Sequence, residues 1–578
     1  MQIESLNTPH KDVENFMTLT MRVPDEPDRK THMHWLFVVD KSGSMFTSGN
    51  KDNRTRLEHV QHTLSNMMEY LKKHAMDTSS IHKLTIIWFN DNANTELNPA
   101  LTFEILKDTN LTPYHDLIMC QSPEGSTNIS AALNTADVLI PKTSINKTAI
   151  VFMSDGEPTT GICDHGSLQE IVHKLVDRVE STNPCMLSTI FIGYGAGERG
   201  LMEKLADVKT GEYHCVESEE GAGIVYGEIA HTILKEQRRE CSISVENGLI
   251  YDFVKNKWDE KLMIGRMAAG CERVFHIKSS NPDELSVSVT YNDYKTDQGV
   301  WQNETDVITE ITPPSDGIKN KTVEIYNIRQ RVLELLSEAR LWKQTHPVSR
   351  HFGQVNTPIH ITRQLRMAMP PPIQRQINQP VAPWSGINMS TLPALAVDPP
   401  LPPTTPTQPQ ICKPLPNRIT SVPVNGRYGT PQSNNQSVSS DITEYNNLKM
   451  RLDAKLASVK QHIRSLTEEG NAEYANGIGI LQMLTDDLFI TIESLDRPTG
   501  LTNIIARQTS QGRQRAYNTV NADDFNSQDH EVSSSLTSPY APVSALACMR
   551  SISQPTTIPV EANSCPSSAD VSSPSSNN

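Results

Sequence analysis

The sequence lacks a long apolar run and any excess of basic residues. No segment approaches the roughly 18 consecutive apolar residues that a membrane-spanning helix needs, and the N-terminal segment lacks the basic-then-apolar order of a signal peptide. With 67 acidic against 52 basic residues, the net charge of -15 disfavours binding to phosphate backbones. We therefore expect a cytoplasmic protein with no membrane span and no nucleic-acid partner.

The sequence also lacks closely spaced cysteine pairs and has few hydrophobic residues. The nine cysteines are scattered and contain no Cys-x-x-Cys pair, so the sequence indicates neither a disulfide framework nor a zinc ribbon or RING domain. We expect reduced thiols. Only 37% of the residues are hydrophobic and the 37 prolines are unevenly distributed, which is typical of folded modules joined by disordered connectors.

Apolar runs and amphipathic stretches alternate over residues 32–236. The predicted strands are WLFVVD, KLTIIWFND at 83–91, KTAIVFMSD at 147–155 and MLSTIFIGYG at 186–195. Stretches with helical periodicity separate them, as in LEHVQHTLSNMMEYLKKH. Because a helix between successive buried strands implies a parallel crossover, we predict an α/β domain with a doubly wound, mostly parallel sheet.

Over residues 237–315, apolar and polar residues alternate with a period of two instead. Segments such as SISVENGLIYDF, ERVFHIKSS and LSVSVTYND predict the antiparallel strands of a small β-sandwich. The N-terminal segment, residues 1–31, contains another alternating stretch, FMTLTMRVP, which we expect to join this sandwich. The α/β domain would then be inserted between strands of one β-module.

The rest of the chain is predicted to alternate between helical and disordered segments. Residues 320–345 form an amphipathic helix, and residues 346–440 are a proline-rich insertion that cannot bury enough apolar area to offset its ordering entropy. Residues 441–497 form a helical bundle with the 320–345 helix, and the polar tail over residues 498–578 is disordered. The apolar stripe from Leu448 to Leu466 indicates a bundle core, with a short coiled coil as the alternative.

Oxygen-bearing side chains lie in three motifs at strand ends or before a helix. They are Asp40, Ser42 and Ser44 in DKSGSM, Thr127 in GSTNIS, and Asp155 in FMSDGEPT. Ligand sites of open α/β sheets lie at the carboxyl ends of the strands, and oxygen ligands suit hard cations such as Mg2+ or Ca2+. The alternative is a degenerate site, whose residues only start loops and cap helices.

The motifs DKSGSM, STNI and SDGEPT resemble the metal-ion-dependent adhesion site of von Willebrand factor type A domains. The resemblance covers about residues 32–236, including GYGAGERGLMEKLADVKTGEYHCVES. It implies that Ser42, Ser44 and Thr127 coordinate the ion directly or nearly so. Asp40 and Asp155 are implied to act largely through bound water. The implied ion is Mg2+, or Ca2+ or Mn2+, with an open position that an acidic side chain of a partner protein completes.

We therefore expect a non-enzymatic protein-binding scaffold or adaptor. As a nucleophile, Ser42 or Ser44 would need a Gly-x-Ser-x-Gly turn and a base, and VDKSGSMF provides neither. The sandwich and helices loosely resemble regions that flank such domains in proteins with intein-like or ubiquitin-ligase associations. The alternatives are thus a substrate-recognition subunit of a ubiquitin-ligase-type complex without its own RING, or a structural protein with a vestigial site. Glu157 is expected to be a solvated turn residue rather than an outer-sphere group.

Overall fold

The computed structural model describes most of the chain outside the proline-rich insertion. The described residues are 2–5, 15–47, 54–93, 99–141, 147–182, 187–194, 200–209, 211–216, 222–295, 300–312, 317–346, 435–497, 500–514, 525 and 539–553. The predicted disorder of residues 347–434 lies outside these ranges.

An α/β domain follows two short N-terminal strands, β1 (Gln2–Ser5) and β2 (Asn15–Arg22). Its elements are β3 (His32–Asp40), α1 (Arg56–Thr78), β4 (Ile81–Phe89), β5 (Leu101–Ile105), α2 (Thr112–Met119), α3 (Ile129–Leu139), β6 (Lys147–Ser154), α4 (His165–Thr182), β7 (Leu187–Tyr194), α5 (Gly200–Ala206), β8 (Glu212–Val216) and α6 (Ala222–Leu234). The strand order is β5-β4-β3-β6-β7-β8, and only β5 runs antiparallel to its neighbour. The predicted mostly parallel α/β fold is confirmed.

The central strands are apolar throughout because both faces of the sheet are covered. Along β3, Trp35 and Phe37 belong to a core shared with α1 and α6. Leu36 and Val38 point to the opposite face, into a core shared with α3 and α4. Successive side chains of a strand alternate between faces, so a strand buried on both faces reads as an unbroken apolar run.

A β-sandwich accounts for the strands on either side of the α/β domain. Its later strands are β9 (Glu236–Glu246), β10 (Leu249–Asp252), β11 (Lys257–Asp259), β12 (Lys261–Ala268), β13 (Glu272–Ser279), β14 (Ser286–Lys295), β15 (Val300–Ile308) and β16 (Ile311–Thr312). They form two sheets, in the orders β11-β10-β13-β2-β1-β16 and β12-β9-β14-β15. Strand β2 pairs antiparallel with β13 from Asn15 opposite Ser279 to Arg22 opposite Glu272. Because β2 precedes the α/β domain and β13 follows it, that domain is inserted between paired strands of the sandwich.

Three helices share a further apolar core, separate from the two cores of the α/β domain. They are α7 (Gly317–Thr345), α8 (Asn435–Glu469) and α9 (Ala475–Leu495). The predicted C-terminal end of the disordered insertion, residue 440, is wrong. Residues 435–440 already belong to α8. The stretch NQSVSS has no apolar period of its own, but extending a helix that is already nucleated costs little.

The prediction that residues 498–578 are disordered throughout is wrong at two helices, α10 (Gly500–Arg513) and α11 (Val543–Ile552). Helix α10 is polar in sequence, yet it is buried with polar partners: Gln508 accepts a hydrogen bond from Arg340 and donates one to the carbonyl of Phe253. Helix α11 packs on α6, where a Cβ added at Gly227 would lie 2.4 Å from the Cα of Met549. Both helices are stabilised by contacts with distant parts of the chain, which their own sequences do not reveal.

The cysteine prediction needs one correction. Five described cysteines are free: Cys120, Cys215, Cys241, Cys271 and Cys548. Cys163, in contrast, is disulfide-bonded. Sequence spacing cannot show which cysteines the fold brings together.

Among the helices that the structure describes, none is both long enough and apolar enough to cross a membrane.

Candidate metal centre

Three loops meet where the parallel strands end. The first loop leaves β3 at Asp40 and forms a 3-10 helix over Gly43–Phe46. The second loop precedes α3, and its Glu124 N–H donates to the Lys41 carbonyl at 2.8 Å while its Gly125 carbonyl accepts from the Gly43 N–H at 3.0 Å. These backbone hydrogen bonds fix the first two loops against each other.

The third loop follows β6 and is joined to the second. The N–H of Thr159 donates to the carbonyl of Thr127 at 2.9 Å, and the N–H of Thr127 donates to the Thr159 hydroxyl at 2.8 Å. Strands β3 and β6 are neighbours, with Val39 opposite Met153, so the first and third loops start side by side. The sheet therefore brings residues that are about a hundred positions apart in sequence into one site.

Asp40 lies beneath the first loop, and its side chain is fully buried. Its Oδ1 accepts from the N–H of Ser42 at 2.8 Å, and its Oδ2 accepts from the hydroxyl of Ser154 at 2.6 Å. Burial raises the pKa of this carboxyl to about 6, and the negative charge of Asp155 also raises it, although the hydrogen bonds from Ser154 and Ser42 act in the opposite direction. An additional positive charge near Asp40 would therefore stabilise its ionised form.

A chain of hydrogen bonds connects three of the other predicted residues. The hydroxyl oxygens of Ser42 and Ser44 lie 3.0 Å apart, and the Ser44 hydroxyl donates to Oδ1 of Asp155 at 2.7 Å. Ser42 and Asp155 are buried, whereas Ser44 is exposed. The exposed Ser44 hydroxyl thus connects the buried acid Asp155 to the surface and also contacts the buried hydroxyl of Ser42.

Thr127 is close to these residues through its backbone rather than through its side chain. It is buried, and its N–H and carbonyl both bond to the third loop. In the hydrogen-bond network of the described residues, Asp40, Ser42, Ser44 and Asp155 are connected, and the Thr127 hydroxyl is not part of that network.

Two further residues contact the predicted acids and were missed by the sequence analysis. Ser154 bonds Asp40, and its position directly before Asp155 at the end of a strand was a usable signal. Arg56 is the other: its Nη1 lies 2.6 Å from Oδ2 of Asp155, with side chains 15% and 0% exposed. Nothing in the sequence near Arg56 indicates this contact, since the two residues are 99 positions apart.

The donor set fits a hard cation. Its side-chain donors are hydroxyl and carboxylate oxygens, the ligands that Mg2+ and Ca2+ prefer, and the contact with Arg56 shows that this environment stabilises a positive charge. Over the described ranges, no group of three or more His, Cys, Asp or Glu side chains could hold a metal ion. The predicted ligand set contains only two such residues, Asp40 and Asp155, and depends on hydroxyl groups for the rest.

The rim of the site carries both polar pairs and an exposed aromatic ring. Phe46, two residues after Ser44, is 68% exposed. Lys41 pairs with Glu124 at 3.2 Å. Glu157, expected as a solvated turn residue, is instead partly buried and lies 2.6 Å from Nε2 of His165.

Comparison with known proteins identifies the class of the α/β domain. Residues 35–157, about a fifth of the chain, match the family model of the von Willebrand factor type A domain. The chain therefore contains a von Willebrand factor type A domain. Domains of this family generally mediate protein–protein interactions. No curated protein matches the sequence.

Several solved structures are similar to this chain at low identity. A von Willebrand factor type A protein from Catenulispora acidiphila has 10% identity and a TM-score of 0.38, covering 60% of this chain and 81% of its own. The ArnB paralog VWA2 from Sulfolobus acidocaldarius has 16% identity and a TM-score of 0.33, covering 60% and 86%. Proximal thread matrix protein 1 from the mussel byssus, with a zinc-occupied MIDAS motif, has 13% identity and a TM-score of 0.24, covering 35% and 44%.

Proposed function

We propose that this protein is a non-enzymatic binding scaffold that recognises an acidic side chain of a partner protein through a divalent metal ion. The observation that carries the proposal is the hydrogen-bonded chain from Ser42 through Ser44 to Asp155, whose central hydroxyl, that of Ser44, is exposed at the carboxyl edge of a parallel sheet. A cation held there faces the surrounding solution, where a partner has access to it.

In this proposal the hydroxyl groups of Ser42, Ser44 and Thr127 would hold the ion, and Asp40 and Asp155 would act through bound water. The bound ion supplies a positive charge with an open coordination position. With few anionic ligands of its own, a hard cation gains most from a negatively charged oxygen, so the partner contributes a carboxylate. Mg2+ is the proposed ion, with Ca2+ or Mn2+ as substitutes.

Phe46 supplies an apolar contact beside the metal. It follows Ser44 by two residues, on the same 3-10 helix, and leaves 68% of its surface exposed. Aromatic side chains are frequent anchors at the centres of protein interfaces. The partner surface that fits this rim has an acidic residue next to an apolar one.

The absence of catalysis is part of the proposal and is supported by the environment of the serines. The carboxylate that Ser44 contacts, Asp155, is already paired with the Arg56 guanidinium. His165, a histidine beside the third loop, contacts Glu157 and Lys204. Neither arrangement activates a hydroxyl for nucleophilic attack.

A pull-down with the immobilised full chain tests the proposed function. Partners should bind in Mg2+, dissociate in EDTA, and fail to bind Ser44→Ala. The matched control is Ser181→Ala, which removes an exposed hydroxyl on α4 that also donates a hydrogen bond; it should bind as the parent does. Retention of the same partners in EDTA and by Ser44→Ala would contradict the proposal.

A further inference from the structure

The N-terminus of α1 places a guanidinium group at the proposed metal site. Arg56 is the first residue of α1, and its Nη1 lies 2.6 Å from Oδ2 of Asp155. The other oxygen of the same carboxylate, Oδ1, accepts the hydrogen bond of Ser44. Asp155 is therefore shared between the hydroxyl chain on one side and a fixed cation on the other.

We propose that Arg56 is the internal counter-ion of this site and competes with the divalent ion for Asp155, so that this arginine sets the metal affinity. The inference rests on the proposed function, because it assigns a role towards the same ion. It adds a residue outside the three sequence motifs.

The backbone at Arg56 is held firmly enough to direct its side chain. Thr55 and Glu58 form a reciprocal capping box, in which the Glu58 N–H donates to the Thr55 hydroxyl at 3.2 Å and the Thr55 N–H donates to the Glu58 carboxylate at 2.6 Å. The N–H of Arg56 itself donates to the carbonyl of Thr47 at 3.0 Å, which ties α1 to the end of the first loop. The backbone at Arg56 is thus anchored from two sides, by the capping box and by Thr47.

This position is electrostatically unusual for an arginine. The N-terminus of a helix carries a partial positive charge, so a cation in the first turn is destabilising unless an anion compensates it. Asp155 provides that compensation, and in return Arg56 neutralises a carboxylate whose side chain is 0% exposed. Removing the cation that pairs with a buried carboxylate is strongly destabilising.

The guanidinium and the divalent ion are alternative positive charges that can balance the Asp155 carboxylate. Asp40 and Asp155 are both buried carboxyl groups at this site. A divalent ion held by the Ser44 hydroxyl would be close to Asp155, the same carboxylate that Arg56 contacts. Two cations within a few ångströms repel each other, so the arginine opposes metal binding while stabilising the metal-free domain.

The decisive comparison uses Arg56→Gln, which keeps a polar side chain with an N–H donor, although a shorter one, and removes the charge. Lys73→Gln is the matched control, because it removes one positive charge from the exposed face of the same helix, about 25 Å away at 1.5 Å per residue. Calorimetric titration of the full chain with Mg2+ should give an affinity at least about tenfold higher for Arg56→Gln than for the parent. Lys73→Gln should match the parent.

Thermal melting provides a readout that does not depend on partner binding. In EDTA, Arg56→Gln should melt at a lower temperature than the parent, and Mg2+ should raise its melting temperature by more than it raises that of the parent. If the variant folds only when Mg2+ is present, the ion has replaced the guanidinium, as the inference requires. A variant that folds neither with nor without Mg2+ contradicts it.

The outcomes separate this inference from the proposed function. If the parent binds Mg2+ and Arg56→Gln binds it equally or more weakly, Arg56 only orients Asp155 and the inference is wrong while the metal site stands. If neither protein binds Mg2+ at any concentration, both the site and the inference are wrong.

Discussion

The hydroxyl of Ser44 donates a 2.7 Å hydrogen bond to Asp155, a residue 111 positions later in the sequence. The contact forms because β3 and β6 are adjacent parallel strands and both residues follow the carboxyl ends of those strands. It links an exposed hydroxyl to a buried acid, and the binding properties proposed for this domain depend on that link.

Removing the Thr127 hydroxyl should weaken partner binding without unfolding the domain. The backbone of Thr127, rather than its side chain, holds the second and third loops together. Thr127→Ala should therefore lower the free energy of unfolding by no more than about 1 kcal/mol. Thr127→Ser keeps a hydroxyl and should retain partner binding. Binding by the alanine variant that equals that of the serine variant would remove Thr127 from the proposed ligand set.

Truncating Phe46 should reduce affinity for the partner and leave the metal site intact. The ring is 68% exposed, so Phe46→Ala should leave the melting temperature close to that of the parent. If the ring anchors the interface, its loss should cost about 1 to 3 kcal/mol of binding free energy, measured by surface plasmon resonance with a captured partner. Val138→Ala, at an exposed position on α3, is the control and should have no effect. An equally small effect of both variants would place the interface elsewhere.

The fold class could be predicted because its signal is local and repeated. An unbroken apolar run such as WLFVVD reports burial on both faces of a strand, and successive runs separated by helical periodicity imply parallel crossovers. Strand β5, Leu101–Ile105, gave no such signal because it is short and lies at the sheet edge, where its burial alternates.

Only part of the candidate site could be predicted from the sequence. Asp40, Ser42 and Ser44 lie in one short motif after a strand, so their proximity followed from chain connectivity. The contact between Arg56 and Asp155 depends instead on how α1 packs beside the sheet, and no local pattern encodes that packing. Helix α11 was not predicted for the same reason. It is only ten residues long, and it packs against a glycine of α6, which no local pattern indicates.

Adding a side chain at Gly227, where α6 packs against α11, should detach or strain α11. A Cβ at this position would lie 2.4 Å from the Cα of Met549, so Gly227→Ala requires a backbone shift. We expect a loss of about 1 to 3 kcal/mol in the free energy of unfolding, as in other overpacked cores. Faster proteolytic cleavage within Val543–Ile552 should accompany this loss.

The control for that substitution is Gly200→Ala in α5. Apart from its chain neighbours and its own helix backbone, no atom of the described residues lies within 4 Å of the position that its Cβ would occupy. Urea unfolding should therefore show Gly200→Ala to be as stable as the parent or slightly more stable. Equal stability of the two alanine variants would mean that α11 does not pack tightly on α6.

Acid should destabilise the protein partly through His276. This buried ring lies 2.7 Å from the Gln330 side-chain oxygen through Nδ1 and 3.0 Å from the Arg329 guanidinium through Nε2. A neutral ring donates to Gln330 and accepts from Arg329, whereas a protonated ring would direct a second N–H at the guanidinium. Burial, together with the charge of Arg329, lowers the pKa of His276 to about 3.

The sign of the pH effect follows from that lowered pKa. The unfolded chain binds the proton near pH 6.5 and the folded protein only near pH 3, so the stabilisation is complete above pH 6.5 and is lost as the pH falls towards 3. Urea unfolding between these values should show a loss approaching about 1.4 kcal/mol per pH unit from this residue. His276→Gln should have a shallower dependence on pH than the parent. Identical slopes would show that His276 is protonated in the folded state.

The most direct test of the account is Mg2+ binding by the parent and by the double variant Ser42→Ala with Ser44→Ala. The substitution removes two proposed hydroxyl ligands and leaves strand β3 unchanged. Calorimetry should detect Mg2+ binding by the parent and none by the variant, while both proteins give the same circular dichroism spectrum. Equal Mg2+ binding by two equally folded proteins would place the metal elsewhere and contradict the central claim.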